Sequence, residues 1–421
     1  MPSRLSISKW SPLLIWVMAF TAIPIWNAFY PSLDCDAQVY FNAIHSVHLG
    51  HDPYAEGVAA ASLFRGQMAL HPNATPPYFY LYSPITLPVL QLLGCFPAVL
   101  YISGYWLIYA AGVLAAIFVS VKFTEPGERS FFLFLAPAAA FFPGFFQEAT
   151  VMDGNIAFIL YGLVFVCALL GWRRGRWHWF YLAVLAASCF KIPMLSLLAI
   201  PLLSARKQWL PVCVTGAAGL SLFAMQLWIW PVYFHNYLRA IAFEFSLGHA
   251  FGVSPAGLSG FALFNAGLPY SNAGAAVYIV FALPLFALLL YLSRQFHMGH
   301  FSLEQWVPVM MMGVILLNPR VLENDFAPLT LFMAMTLWRV IASLTSAKRA
   351  VVLSFLFVAV MNIAAAMITF IDVTGLYLNC IEGLVLLAIF AAGCWNLLRQ
   401  TLRPATETVP LPIELAVLEP V

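Results

Sequence analysis

The chain opens with two contrasting stretches: the apolar run WSPLLIWVMAFTAIPIWNAFY at residues 10–30, and the polar segment PSLDCDAQVYF at residues 31–41. The apolar run has about the 20 residues that a helix needs to cross a bilayer. Because it lacks an A-x-A cleavage signal, it predicts a retained first membrane helix. The polar segment carries two acids, Asp34 and Asp36, at the expected membrane edge. Charge at such a position is costly and tends to be kept for function, so we expect a functional loop there.

Composition places the whole chain in the membrane class. Its 421 residues are 63% hydrophobic and only 9% charged, with a mean hydropathy of +0.89. Soluble domains are nearer half apolar and a quarter charged. The net charge of +2 and the lack of a Lys/Arg block argue against nucleic acid as a partner. The seven cysteines have no metal-ligand spacing, so neither a disulfide framework nor a zinc site is predicted.

Further apolar runs predict an all-α polytopic membrane protein with about 10–12 transmembrane helices. Residues 1–403 form a single transmembrane domain in this interpretation, and residues 404–421 form a flexible cytoplasmic tail. The predicted runs after the first helix are Tyr82–Phe96, Ala98–Val121, Phe131–Gln147, Asn155–Gly171, Trp179–Leu203, Trp209–Val232, Ala275–Ser293, Trp306–Leu317, Phe326–Ile341, Val351–Ile371 and Leu376–Leu398.

Basic residues predict the orientation, with one conflict. If the runs alternate, most basic connections fall on one side, which should be cytoplasmic; they are Arg206-Lys207, Arg294, Lys348-Arg349, Arg399 and Arg403. The basic stretch 173–176 would then face outward. Alternatively, residues 179–203 form a hairpin of two short helices with Lys191 at its tip. That alternative requires a segment within residues 82–121 not to cross fully.

The outer loop, residues 31–81, should be partly helical. From Asp36, apolar residues recur at helical spacing until Gly50, which predicts an amphipathic helix. A second short amphipathic helix is predicted from Gly57 to Leu70. Helices of this kind lie along a membrane surface, and Asp36 and Tyr40 would share one helix face.

Three ordered motifs resemble glycosyltransferase family 87: DAQVY at 36–40, GHDPY at 50–54 and YLYSP at 80–84. Further along, Asp153-Gly154-Asn155 resembles the Gly-Gln-x-Asn element of that family without its Gln. Phe190-Lys191-Ile192-Pro193 resembles its Lys-Pro element, and Asn318-Pro319-Arg320 its later polar cluster. The resemblance covers residues 10–341. It implies a GT-C membrane bundle that transfers a hexose, by resemblance mannose, from a polyprenyl-phosphate-sugar to a lipid or glycan acceptor. The expected location is the outer face of the inner (plasma) membrane.

Transfer from a lipid-phosphate sugar needs a base for the acceptor hydroxyl and cations for the departing phosphate. An inverting displacement requires one carboxylate on the acceptor side. Asp36 is the candidate base and Asp34 the runner-up, although Asp is also a favoured helix N-cap. No Gly-rich phosphate loop and no Ser–His–Asp arrangement is visible, so neither a nucleotide-sugar donor nor a hydrolase has support. No cofactor is expected.

Two cations are candidates for phosphate binding. Lys191 lies in or at the tip of an apolar segment, where charges normally face a cavity or a partner; a lysine that reaches back to water is the alternative. Arg320 lies in a short polar connection with Glu323 and Asp325. Its planar donor fork suits phosphate, and an internal Arg–Glu pair is the alternative.

Several other side chains have both a binding and a structural interpretation. Tyr40, Tyr54 and Tyr82 could contact the sugar or lipid, or anchor the chain at the interface. Asp153 and Asn155 could bind substrate or cap a helix. His45 and His48 share a helix face, but no acid completes a metal site, so an interfacial polar face is favoured.

Two other classes of function remain open. A transporter or flippase of lipid-linked sugars is favoured by the interruptions at Pro193 and Pro284, since broken helices often form transport sites. The lack of a visible inverted repeat and the early acidic loop argue against it. A purely structural membrane subunit gives no account of Asp36 and Lys191 at costly positions.

Overall fold

The computed structural model describes residues 11–33, 35–67, 79–125, 128, 154–246, 252, 254–268, 272–318, 320–371 and 376–402. Within these ranges every regular element is a helix. Six helical segments among the described residues are long and apolar enough to cross a membrane by length and composition. The chain is therefore an all-α, multi-pass membrane protein, as composition predicted. The run predicted at 131–147 and the tail 404–421 lie outside the described residues.

The first half of the chain contains the following helices. They are α1 (Ser11–Phe29), α2 (Cys35–His48), α3 (Pro53–Gln67), α4 (Leu87–Leu93, preceded by a 3-10 turn at Pro84–Thr86), α5 (Ala98–Val121), α6 (Ile156–Arg174), α7 (Trp177–Phe190), a 3-10 helix (Ile192–Leu198), α8 (Ala199–Ser204) and α9 (Trp209–Ile229).

The second half contributes the remaining helices of the bundle. They are α10 (Pro231–Ser246), α11 (Pro255–Asn265), α12 (Asn272–His297), α13 (Leu303–Leu316), α14 (Glu323–Phe326, continued by a 3-10 turn at Ala327–Leu329), α15 (Thr330–Leu344), α16 (Ala347–Ile371) and α17 (Leu376–Thr401). The core lies where α13 and α15 pack, because nearly every α13 side chain is buried.

Hydrogen bonds show which helix ends lie together. Arg173, at the end of α6, donates to the carbonyl of Lys122 at 2.8 Å and to Glu304 at 3.0 Å. Arg206, after α8, donates to the carbonyl of His297 at 3.2 Å. The basic stretches at 173–176 and 206–207 therefore lie at the same end of the bundle, which we call the basic end.

This arrangement selects the hairpin interpretation. Helix α7 leaves the basic end, and the 3-10 helix and α8 return to it, with Lys191 at the turn between them. Helix α4 has 7 residues, so at 1.5 Å per residue it spans roughly 10 Å, far less than a bilayer core. The conflict with the positive-inside tendency disappears, since α4 is the segment that does not cross.

Two short helices of the outer loop, α2 and α3, lie at the opposite end. The predicted helix from Asp36 to Gly50 is α2, and the one from Gly57 is α3, which begins earlier, at Pro53. Asp52 explains that start, because its Oδ1 accepts from the backbone N–H groups of Tyr54 and Ala55 at 2.9 and 3.2 Å. Its Oδ2 accepts from Asn236 of α10 at 2.8 Å. One carboxylate thus caps α3 and joins it to α10.

Candidate active site

Asp36 lies in the first turn of α2 and faces the start of α6 and helix α14. Its Oδ2 accepts hydrogen bonds from Asn155 Nδ2 at 2.9 Å and from Asn324 Nδ2 at 3.4 Å. Oδ1 takes no hydrogen bond from any described residue. Asp36 therefore does not cap its own helix. Within the described part of the chain, its carboxylate is held through one oxygen only.

The position of Asn155, which donates to Asp36, follows from its place at the start of α6. It is the N-cap of α6, and its Oδ1 accepts from the backbone N–H of Ala157 at 2.8 Å. An N-cap side chain satisfies one of the unpaired donors that every helix start exposes. The capping and site interpretations of Asn155 both apply, because its Oδ1 caps the helix while its Nδ2 holds Asp36.

The groups around Asp36 shift its pKa in opposite directions. Burial raises the pKa of Asp36 above the ordinary value for aspartate, because a charged carboxylate is poorly solvated there. The Asn155 amide, Lys191, the Asn324 amide and Arg320 all act in the other direction. The net shift is upward. A carboxylate with a raised pKa is a better proton acceptor near neutral pH than an exposed one.

Lys191 is paired with a buried carboxylate. Its Nζ lies 2.6 Å from Asp325 Oδ1, the Lys191 side chain is 18% exposed, and that of Asp325 is fully buried. The second oxygen, Asp325 Oδ2, accepts from the backbone N–H of Leu322 at 3.1 Å. Lys191 therefore does not reach back to bulk water. Two of its three ammonium donors are not taken by the residues that the structure describes.

Arg320 lies on the same side of the molecule as Asp36, as predicted. Its guanidinium reaches Glu244 of α10 at 3.5 Å, and its backbone N–H donates to Asn318 Oδ1 at 3.1 Å. The observed partner, Glu244, belongs to another helix. The expected alternative, an Arg–Glu pair within the loop, has no outcome, because the side chain of Glu323 lies outside the described residues. Both cations are close enough to act on the pKa of Asp36.

The tyrosines form a hydrogen-bonded wall beside Asp36. The hydroxyls of Tyr40 and Tyr82 lie 2.7 Å apart, and Tyr40 accepts from the backbone N–H of Ile156 at 3.0 Å. Tyr54 donates to the carbonyl of Tyr82 at 2.6 Å. Burial raises the pKa of Tyr40, Tyr54 and Tyr82, so they remain neutral. These tyrosines pack inside the protein and do not serve as exposed interfacial anchors.

The segment around Tyr82 is fixed to the bundle by two hydrogen bonds, one from a side-chain hydroxyl and one from the backbone. Ser83 donates to the carbonyl of Cys189 on α7. The backbone N–H of Ile85 donates to Gln226 of α9 at 2.9 Å. The motif at 80–84 therefore joins the outer loop to the tip of the hairpin that carries Lys191.

The structure thus brings Asp36, Tyr40, Tyr82, Asn155 and Lys191 into one region, with Arg320 nearby. Three predicted residues have no structural outcome, because Asp34, Asp153 and the side chain of Glu323 lie outside the description.

Sequence reasoning missed Asn324 and Glu244 and gave Asp325 no role of its own. The polar connection after Asn318 was a signal for Asn324 and Asp325. The amphipathic pattern of residues 231–246 could have revealed α10 and with it Glu244.

A second polar region lies at the basic end. Two guanidinium nitrogens of Arg339 donate to the two carboxylate oxygens of Glu128, at 2.8 and 2.7 Å. The third nitrogen donates to the carbonyl of Glu304 at 2.6 Å. A cavity of about 570 Å³ lies beside this pair. Because Arg339 and Glu128 neutralise each other there, we place the candidate site at Asp36 instead. Among described side chains, no group of three or more His, Cys, Asp and Glu residues is arranged to hold a metal ion.

Comparison with known proteins does not supply a family for this arrangement. No family model, curated protein or solved structure matches the chain. Any function must therefore be argued from the side chains around Asp36 themselves.

Proposed function

We propose that the protein is an integral membrane glycosyltransferase that moves a hexose from a polyprenyl-phosphate-sugar to a lipid or glycan acceptor. The hexose is mannose by the resemblance of the sequence motifs. The reaction takes place at the outer face of the inner membrane. The observation that carries the proposal is the carboxylate of Asp36, which lies beside two cations and is held through Oδ2 while no described residue binds Oδ1.

Asp36 acts as the general base. A base works when its geometry is fixed and its pKa lies near the working pH. The two amides on Oδ2 fix the carboxylate, and burial raises its pKa. Oδ1 is the atom that takes the proton from the acceptor hydroxyl.

Lys191 and Arg320 stabilise the leaving group. Lys191 keeps its bond to Asp325 and offers its remaining ammonium hydrogens to the phosphate. Fixed cations placed where negative charge develops lower the barrier of a transfer step. Because Asp325 and Glu244 offset part of the positive charge, the protein itself does not place two uncompensated cations in the site.

The step balances as an inverting displacement. The acceptor oxygen forms a bond to the anomeric carbon, and its proton passes to Asp36 Oδ1. The bond from that carbon to the phosphate oxygen breaks, and its electron pair stays on the phosphate. A single carboxylate suffices because the phosphate leaves without protonation.

The test is transfer of radiolabelled mannose from polyprenyl-phosphate-mannose into membrane lipid extracts. We expect wild-type protein to transfer the sugar and Asp36→Asn to lose about 100-fold or more of the rate, the usual contribution of a general base. Asp34→Asn is compared in the same assay at matched protein levels, and loss in this variant alone would keep the enzyme class and move the base to Asp34. Wild-type protein that transfers no lipid-phosphate sugar would overturn the proposal.

A transporter or flippase of lipid-linked sugars is the second candidate. The break between α7 and the 3-10 helix, with the buried Lys191–Asp325 pair beside it, is the feature that favours it. Fluorescent lipid-linked sugar in proteoliposomes separates the two, because a flippase moves the intact lipid whereas a transferase forms a new glycosidic bond.

A further inference from the structure

Two amides donate to the same oxygen of Asp36, yet they differ in what else they hold. The Oδ1 of Asn155 accepts from the backbone of α6 at 2.8 Å. Turning this amide by half a turn would place its NH2 group against that N–H donor. Asn155 is therefore fixed as a donor to Asp36.

Asn324 has no such constraint. Its side chain is 5% exposed, and its Oδ1 is buried without a hydrogen-bond partner among the described residues. A buried polar atom left unpaired is costly and calls for an explanation. In the observed orientation, Nδ2 of Asn324 donates to Asp36 and Oδ1 faces no described donor. In the opposite orientation, Oδ1 would face Asp36 and could accept a hydrogen bond from it.

A change in the charge of Asp36 would provide that donor. An ionised carboxylate only accepts hydrogen bonds, whereas a protonated one also carries an O–H donor. We propose that Asn324 is a reversible positioning residue, which donates through Nδ2 to ionised Asp36 and turns to accept through Oδ1 from protonated Asp36. Asn155 remains a donor in both states.

The exchange keeps the number of hydrogen bonds to Asp36 constant. One atom of the Asn324 amide is unpaired in either orientation, so the cost of burial is similar before and after the turn. The proton is first taken on Asp36 Oδ1. A half-turn of the carboxyl group then brings it to the side of Asn324, and this rotation is allowed because the terminal torsion of Asp is broad and two-fold. Asn155 thus favours the ionised base, whereas Asn324 orients it in both protonation states.

Other groups around Asp36 do not take this role. Lys191 and Arg320 lie near it and carry only hydrogen-bond donors, and Asp325 is engaged by Lys191. Tyr40 and Tyr82 bind each other. That the proton comes from a substrate hydroxyl rests on the proposed function, but the same exchange follows when Asp36 is protonated by lowering the pH.

Infrared titration of the purified protein without substrate provides the test. The carboxylic C=O band of protonated Asp36 is identified by its loss in Asp36→Asn. We expect Asn155→Ser, which keeps a capping oxygen, to raise the pKa of Asp36 by about one unit, since one hydrogen bond to the charged form is lost. Asn324→Leu should shift this pKa by less than half as much. It should also move the C=O band to higher wavenumber, because the O–H loses its acceptor.

Two outcomes would overturn the proposal. In the first, Asn324→Leu raises the pKa of Asp36 as much as Asn155→Ser does, which would make Asn324 a fixed donor. In the second, the acid band does not move in that variant, or no Asp36-dependent band forms down to about pH 4. Asn324→Ala removes the same amide and replaces the Leu variant if the latter does not fold. Since no substrate is present, the result is independent of whether the protein transfers a sugar.

Discussion

The ammonium of Lys191, at the tip of the α7 hairpin, lies 2.6 Å from the fully buried carboxylate of Asp325. Both oxygens of that carboxylate are occupied, one by Lys191 and the other by the backbone N–H of Leu322. This pair connects the hairpin to the connection between α13 and α15. It also places a positive charge beside Asp36 while leaving little net charge in the interior.

We expect removal of either partner of this pair to destabilise the protein strongly. Lys191→Met leaves Asp325 as a buried charge without its cation, which costs about 3–5 kcal/mol. The double variant Lys191→Met/Asp325→Asn should recover much of this loss without recovering transfer. Thermal unfolding in detergent measures the stability.

The pair between His51 and Glu56 is the control for that experiment, because its side chains are 55% and 47% exposed. Glu56→Gln should change stability by less than about 1 kcal/mol. A loss in Lys191→Met no larger than that in Glu56→Gln would contradict the role given to the pair.

The rate of transfer should fall as the pH is lowered through the pKa of Asp36. Only the ionised carboxylate accepts a proton, and burial holds its pKa above the ordinary value of about 3.9. The initial rate at saturating donor, measured between about pH 4 and pH 8, gives this acid limb. In Asn155→Ser the limb should move to higher pH. A limb that stays in place in this variant would show that another group controls the rate.

Asp36→Asn should not lower the stability at neutral pH. Because the folded-state pKa is raised, the folded protein binds a proton more readily than the unfolded chain, and ionised Asp36 opposes folding. The wild type should therefore lose stability as the pH rises from the unfolded value to the raised folded value, and the variant should lack this loss. Chemical unfolding at several pH values measures both. A variant that is less stable than wild type at pH 7 would contradict the direction of the shift.

Gly154 should be essential for the position of Asn155. Its φ is +65°, and a Cβ there would lie 2.6 Å from the ring of Trp106. Gly154→Ala therefore combines left-handed strain of about 1–2 kcal/mol with a steric clash, and it should lower both stability and transfer. Gly175, with φ +67° and open space around it, is the matched control. If Gly175→Ala is as damaging as Gly154→Ala, the contact with Trp106 is not the cause.

Local patterns predicted those parts of the fold that depend on neighbours in the sequence. The apolar and acidic residues after Pro31 predicted α2, and the interruption at Lys191 predicted the hairpin as one of two alternatives. Composition alone predicted the membrane class. Such local patterns could not predict which distant residues bind the predicted ones. Asn324 is 288 residues from Asp36, and no period or spacing connects the two. Glu244 was missed for the same reason, since its partner Arg320 is 76 residues away.

The distance along the chain between Asp36 and its partners also sets an order of biosynthesis. Asp36 is synthesised 119 residues before Asn155 and 288 residues before Asn324. During insertion its carboxylate has neither amide to bind, so it must remain hydrated until these segments emerge from the ribosome. The short helix α2 provides for this, because a surface helix can rest at the water boundary while later helices enter the bilayer. The candidate site is consequently completed only after Asn324 has been synthesised, and a nascent chain that stops before residue 318 contains four of the six described membrane-crossing segments without it.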